Sequence, residues 1–239
     1  VDTTSSAVGI PARPGGVRGA VLAGGHGSRL GGAKPTAELA GRPLISYPLA
    51  ALAAAGIDAF VVAKSASGLR GRPLARPDQG GRPLARQTDL KSTAVGTPDE
   101  RTTAPAPGGV ETVIEPPRPT HPLAGIVAAL RHAERPLVVL GCDFPFAPPA
   151  LLRALATAPE PLVVPAPGGD PQPLMARWAA ELLPDLEAAL ARAEPLRRTV
   201  ATLAPRLLDD TELTRFGDPA RAFLNVNTPA DLRAAATLL

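Results

Sequence analysis

The sequence predicts an α/β fold built on a mostly parallel sheet. Short continuous apolar runs, such as Gly19–Ala23 and Pro136–Cys142, are of the kind found in strands covered on both faces. Helical segments bounded by proline and glycine alternate with these runs, which gives a βαβ rhythm with right-handed crossovers. At 239 residues the chain suits one such domain with a sizeable core, and its length does not call for a second. Only 3% of residues are aromatic although 45% are apolar, so alanine, leucine and valine must fill the interior.

Residues 1–16, VDTTSSAVGIPARPGG, are small, polar and rich in Pro and Gly. Such a composition buries too little surface to offset its ordering entropy, and a flexible tail is expected, leaving 17–239 as the domain. After the first strand, Gly19–Ala23, a helix is expected from Pro43 to Ala55, with proline at the first helical position and Gly56 as a left-handed stop. Asp58–Ala63 is the second strand. Between Lys64 and Val110 the regular pattern disappears, and the hexapeptide GRPLAR occurs twice, at Gly71–Arg76 and Gly81–Arg86. Two copies of a proline-broken hexapeptide fall far short of a solenoid, so residues 65–109 read as an inserted Pro/Gly/Arg-rich surface loop. The alternative is a basic flap over an anionic substrate, carried by Arg70, Arg72, Arg76, Arg82 and Arg86.

Order returns with a strand at Val110–Glu115, a helix at Pro122–Ala133 and the strand Pro136–Cys142. Helices Pro148–Ala158 and Ala179–Ala193 follow, with strands Pro161–Pro165 and Pro173–Arg177 around them. A helix over Pro195–Leu203 precedes strand Arg206–Asp209 and a last strand, Ala222–Val226. Thr228, Pro229 and Asp231 then read as N-cap, first-turn proline and reciprocal capping acid of the final helix, Pro229–Leu239.

In open parallel sheets ligands bind beyond the carboxyl ends of the strands, a rule that selects three places. The first is the loop after Ala23, within VRGAVLAGGHGSRLGGAKP (Val17–Pro35). Gly24, Gly25, Gly27, Gly31 and Gly32 allow backbone N–H groups to approach a ligand, while Arg29 and Lys34 add fixed positive charge, an arrangement suited to a polyanion such as a nucleoside triphosphate. It is neither a Walker loop, since Ala33 and Pro35 flank Lys34, nor a dinucleotide fingerprint, since Leu30 stands where the third glycine belongs. The second place is Gly141–Pro145, where Asp143 follows an apolar run. A carboxylate there calls for a cation, and Mg²⁺ bridging phosphate oxygens would supply one, making Asp143 the metal ligand; a helix N-cap is the plainer reading. The third is Asn225-Val226-Asn227, whose period-two alternation puts both amides on one side, able to bind phosphate oxygens or metal-bound water without adding negative charge.

A net charge of +3 with no basic run gives no sign of a nucleic-acid partner. No apolar run approaches the roughly 18 residues of a membrane span. Cys142 is the single cysteine, so no intramolecular disulfide can form, and the three histidines, His26, His121 and His132, lie too far apart for a Cys/His zinc cluster. A soluble protein of the reducing cytoplasm is expected. Cys142, within an apolar strand, reads as a core residue rather than a nucleophile.

Four segments, VLAGGHGSRLGGAKP, HPLAGI, GCDFPF and FLNVNTPADL, occur in the order found in the molybdenum cofactor guanylyltransferase family, which the chain resembles from Val17 to Leu239 apart from the insertion. That resemblance implies a single Rossmann-like three-layer domain of the nucleotide-diphospho-sugar transferase type. It implies transfer of GMP from GTP to the terminal phosphate of molybdopterin, with release of pyrophosphate and formation of the guanine dinucleotide cofactor. Leu22, Ala23, Gly24 and Gly25 would face the guanine, Arg29 and Lys34 would hold the triphosphate, and Asp143 would hold Mg²⁺. Gly125 would leave room beside the nucleotide, and Asn225 and Asn227 would help place the acceptor phosphate or the metal's water shell. The resemblance further implies molybdoenzyme apoproteins or their chaperones as protein partners. The family's second acid, ahead of HPLAG, stays unassigned among Asp89, Asp99 and Glu115. Competing readings are a CTP-dependent enzyme acting on molybdopterin, an alcohol phosphate or a sugar 1-phosphate, and a non-catalytic nucleotide-binding accessory protein.

Overall fold

The computed structural model describes residues 16–24, 30, 34–65, 103–105, 109–116 and 118–239. The tail up to Pro14 and Gly15, the loop residues Gly25 and Arg29, and both GRPLAR copies lie outside the described residues.

Among the described residues eight strands form one sheet. They are β1 (Arg18–Leu22), β4 (Ala59–Ala63), β5 (Thr103–Pro105), β6 (Glu111–Ile114), β7 (Leu137–Gly141), β8 (Leu162–Pro165), β9 (Met175–Trp178) and β10 (Arg206–Leu208). Their order is β10-β8-β9-β7-β1-β4-β6-β5. β1 pairs in parallel with both β4 and β7, β4 with β6, and β8 with β10, whereas β9 runs antiparallel to its two neighbours and β5 antiparallel to β6. The mostly parallel α/β sheet is as the sequence predicts. β5 arises from the end of the expected insertion.

Period-two alternation divides the strands between two apolar layers. Val21, Val61, Val138 and Leu140 face α1 (Ser46–Ala54) and α3 (Pro149–Thr157), where Leu52, Leu151 and Leu155 complete one core cluster. Ala20, Phe60, Val62, Leu137, Val139 and Trp178 face the other way and meet Leu123, Ile126 and Leu130 of α2 (Pro122–Ala133). Leu186 of α4 (Leu183–Ala191) and Val200 of α5 (Leu196–Thr202) close that layer. Burial on both faces explains why β7, LVVLG, is apolar throughout. No helix among the described residues is long and apolar enough to cross a membrane.

Three elements differ from the sequence expectation. The helix expected from Pro43 begins at Ser46, because Pro43 belongs to a hairpin of β2 (Glu38–Leu39) and β3 (Arg42–Pro43). Ala40 and Gly41, with φ of 47° and 75°, form its two-residue turn. The N–H groups of Leu44 and Ile45 are spent on Ala37 and Pro35, so helical bonding starts only afterwards. The expected helix Ala179–Ala193 opens as a 3-10 turn, Ala180–Leu182, and α4 starts at Leu183, one residue before Pro184. The expected last strand, Ala222–Val226, is absent: beyond α6 (Asp210–Leu213), Asp218 caps a short helix, α7 (Pro219–Ala222), by accepting from Ala220 N at 2.9 Å, and Phe223–Asn227 follow without regular structure. The last helix, α8 (Pro229–Ala236), carries the expected capping box of Thr228 and Asp231. Gly56, at φ 76°, ends the first helix as expected.

From β1 the chain moves outward to β4 and β6, then returns to β7 on the other side of β1. The carboxyl ends of β1 and β7 therefore flank the topological switch point, where such sheets open a crevice.

Candidate active site

Leu22 closes β1 opposite Gly141 of β7, and Cys142 N donates to Leu22 O at 3.1 Å, so the two strand ends are bonded side by side. Asp143 follows immediately. Lys34 enters from a 3-10 turn, Lys34–Thr36, with 8% of its surface exposed. Its ammonium donates to Asp143 Oδ2 at 2.7 Å and to Asn227 Oδ1 at 2.5 Å, joining residues 109 and 193 positions away in the chain. The two side chains of the ion pair are only 10% and 14% exposed, so it is held largely out of water.

The asparagines come from the segment ahead of α8. Val226 is fully buried against Leu39, Leu44, Tyr47 and Ala235, and its N–H donates to Asp143 O at 3.0 Å. With Val226 so pinned, its two neighbours share a side: Asn227 Nδ2 donates to Asn225 Oδ1 at 2.6 Å. The expected alternation thus holds without a strand to impose it. Asp231 reaches back to accept from the N–H groups of Asn227 and Thr228, each at 2.8 Å. These bonds, that of Asn227 foremost, outweigh desolvation and hold its carboxyl below the usual carboxylate range, with Lys34 assisting. The helix cap therefore positions Asn227 as well as starting the helix.

A second charged pair lies on the other side of β1. Lys64 follows β4 and Glu115 follows β6, whose N–H bonds Ala63 O at 2.9 Å. Glu115 is 4% exposed, and Lys64 Nζ stands 3.2 Å from its Oε1. Two glycines bracket this carboxylate. A Cβ on Gly24 would overlap Glu115 Oε1, and one on Gly125 would stand 3.2 Å from Oε2. Both pairs border one pocket of about 240 Å³, whose walls include Leu22, Gly24, Gly125 and the start of α2 at His121 and Pro122. His121 caps that helix, its Nδ1 accepting from Leu123 N at 3.2 Å.

Of the residues singled out from sequence, Leu22, Gly24, Lys34, Gly125 and Asp143 line this pocket, with Asn225 and Asn227 bonded behind Lys34. Ala23 packs into the core beneath, its N–H donating to Val62 O. Gly25 and Arg29 lie outside the described residues. Lys64 was missed and Glu115 left undecided, yet both stand one place beyond a parallel strand, the same signal that selected Asp143. Cys142 also lines the pocket; burial, with the charge of Asp143 beside it, pushes its thiol far above the usual range.

The donors at Asp143, Asn225 and Asn227 are all hard oxygens, and a cation, the Lys34 ammonium, already sits between two of them. That set fits Mg²⁺, which is commonly held by one or two carboxylates together with substrate phosphates. No cluster of three or more His, Cys, Asp or Glu able to hold a metal occurs among the described residues.

A family model described as a MobA-like NTP transferase domain matches residues 19–207. A molybdenum cofactor guanylyltransferase of Rhizobium meliloti (strain 1021) is 31% identical over 195 residues, covering 74% of this chain and 89% of the relative. One of Cereibacter sphaeroides is 31% identical over 228 residues, covering 92% and 96%. Among solved structures, the molybdopterin-guanine dinucleotide biosynthesis protein A of Archaeoglobus fulgidus is 25% identical and superposes with a TM-score of 0.68, covering 93% of this chain and 97% of that one.

Proposed function

The chain belongs to the family of MobA-like NTP transferase domains and is a nucleotidyltransferase; from that premise we propose that it transfers GMP from GTP to the terminal phosphate of molybdopterin. The observation that carries this reading is the Lys34 ammonium, bonded to Asp143 and Asn227 at the joined ends of β1 and β7, where a sheet of this topology takes its ligand. The names of the relatives, molybdenum cofactor guanylyltransferase, support the choice of substrates.

In the proposed reaction an oxygen of the molybdopterin phosphate forms a bond to the α-phosphorus of GTP while the bond to the β-phosphate oxygen breaks and pyrophosphate leaves. The nucleophile is already an anion, so no general base is needed; the barrier lies in bringing one anion to another. Lys34, together with Arg29, turns to the triphosphate and offsets its charge. Asp143 would hold Mg²⁺, with Asn227 beside it; the metal would supply charge neutralisation at the phosphates. Asn225 and Asn227 receive the acceptor phosphate, and Leu22, Ala23, Gly24, Gly25 and Gly125 belong to the base side of the site. The single thiol, buried, suits a cytoplasmic setting. Incubation with GTP, Mg²⁺ and molybdopterin should yield pyrophosphate and the guanine dinucleotide in equal amounts. A faster reaction with CTP, or no pyrophosphate with either nucleotide, overturns the reading.

A further inference from the structure

Asp231 takes no part in the reaction just described, yet it holds a residue that does. The segment carrying Asn225 and Asn227 is not a strand, so no sheet ladder fixes its register. Val226, fully buried, donates its N–H to Asp143 O at 3.0 Å and anchors the backbone ahead of Asn227. Beyond it, Asp231 Oδ2 accepts from Asn227 N and Thr228 N, each at 2.8 Å. The peptide groups on both sides of the Asn227 Cα are thereby bonded to one oxygen, which restrains the two soft torsions of that residue. Its side chain is aimed as a result, Oδ1 accepting from Lys34 and Nδ2 donating to Asn225.

The two halves of this cap differ in consequence. Thr228 Oγ1 accepts from Asp231 N at 3.2 Å, a bond inside the first turn of α8 that does not touch Asn227. The acid of an ordinary capping box returns to the N–H of the N-cap residue alone, whereas here the same oxygen also takes the N–H of the residue before it. Resting on the proposed placing of the acceptor phosphate at Asn225 and Asn227, we infer that Asp231 is a positioning residue of the transfer reaction, acting through the backbone of Asn227. It touches neither substrate. Removing it frees both torsions of Asn227 and lets the amide leave the line between Lys34 and Asn225. A displacement of about 1 Å in a group that places a reactant costs on the order of 100-fold in rate.

The test compares Asp231→Ala with Thr228→Ala, which break different halves of one cap. Each should lower Tm by about 2–4 °C, the scale of a lost cap in a chain of this size. Only Asp231→Ala should lose transfer, its kcat/KM for molybdopterin falling by about 10- to 100-fold while the Kd for GTP changes far less. Asp231→Glu, which installs the commoner acid of a capping box, should restore most of the loss. A readout free of substrate is the order parameter of the Asn227 side-chain amide from ¹⁵N relaxation. It should fall below about 0.6 in Asp231→Ala and stay near the wild-type value in Thr228→Ala and Asp231→Glu. An Asp231→Ala protein that loses no more kcat/KM than Thr228→Ala, or whose Asn227 amide is as rigid as in wild type, overturns the inference and leaves the proposed function standing. A wild type that forms no guanine dinucleotide overturns the proposed function, and the order parameters then decide alone: loosening confined to Asp231→Ala supports the hold on Asn227, and equal rigidity overturns it.

Discussion

Replacing Lys34 with methionine should move two readouts of one protein in opposite directions. The side chain stays unbranched, one atom shorter, and loses the charge that now lies 2.7 Å from Asp143 Oδ2 and 2.5 Å from Asn227 Oδ1. In the proposed reaction Lys34 would supply a charge-assisted hydrogen bond to phosphate, worth about 1.5–3 kcal/mol, and kcat/KM should fall by roughly 10- to 150-fold. Without nucleotide, the ammonium competes with a divalent cation for the same two oxygens. Its removal should tighten Mn²⁺ binding to the nucleotide-free protein by about tenfold, the equivalent of one released hydrogen bond to a charged group. Titration calorimetry or Mn²⁺ paramagnetic resonance measures this independently of turnover. Stability should fall too, because Asp143, 14% exposed, loses its partner, so a melting curve accompanies the comparison. A folded variant whose metal affinity is unchanged or weaker, or whose kcat/KM matches wild type, refutes the reasoning.

Gly24→Ala should cost about 1–3 kcal/mol in urea unfolding, since its Cβ would overlap Glu115 Oε1, and most of that cost should disappear when Glu115→Ala is introduced alongside it; purely additive effects would show that the carboxylate is not what excludes a side chain. At the amino ends of the strands, burial raises the pKa of Glu111, but hydrogen bonds from Arg18 and His132 outweigh it and hold the carboxyl below its ordinary value of 4.5. A depressed carboxylate contributes stability that is complete above the unfolded value and is lost as pH falls through the folded one. Wild type should therefore lose more stability than Glu111→Gln on acidification below pH 4.5 in equilibrium unfolding, and equal losses would contradict this. Cys142, 4% exposed and with its thiol pushed up, should resist alkylation in native protein and react fully in denaturant; rapid native labelling would show that the pocket floor is open.

Much of this was legible in the sequence because burial and patterning act locally. Strands covered on both faces had to be apolar throughout, and the Thr228/Asp231 cap needs only residues within one turn. Asp143 was singled out because a charge standing just past a buried strand calls for a cation, and it lines the pocket, paired with Lys34. Two of the three misreadings share a physical cause, namely turn chemistry overriding a period. Ala40-Gly41 makes a hairpin that takes Pro43 away from the helix, and Asp218-Pro219 starts a helix where Ala222–Val226 looked like a strand. The pairing of Lys34 with Asp143 and Asn227 spans most of the chain, and only the sheet order brings these residues together. Glu115 stayed undecided for the same reason: its neighbours Gly24, Lys64 and Gly125 come from three other elements.

A structure with Mg²⁺ and a GTP analogue that carries carbon in place of the α,β-bridging oxygen bears most directly on the central claim. The expected result is a triphosphate across the ends of β1 and β7, its oxygens within hydrogen-bond reach of Lys34 and a metal ion on Asp143, with the guanine on the Gly24–Gly125 side. A nucleotide seated elsewhere, or phosphates that leave the Lys34–Asp143 bond intact with no metal at Asp143, would contradict it.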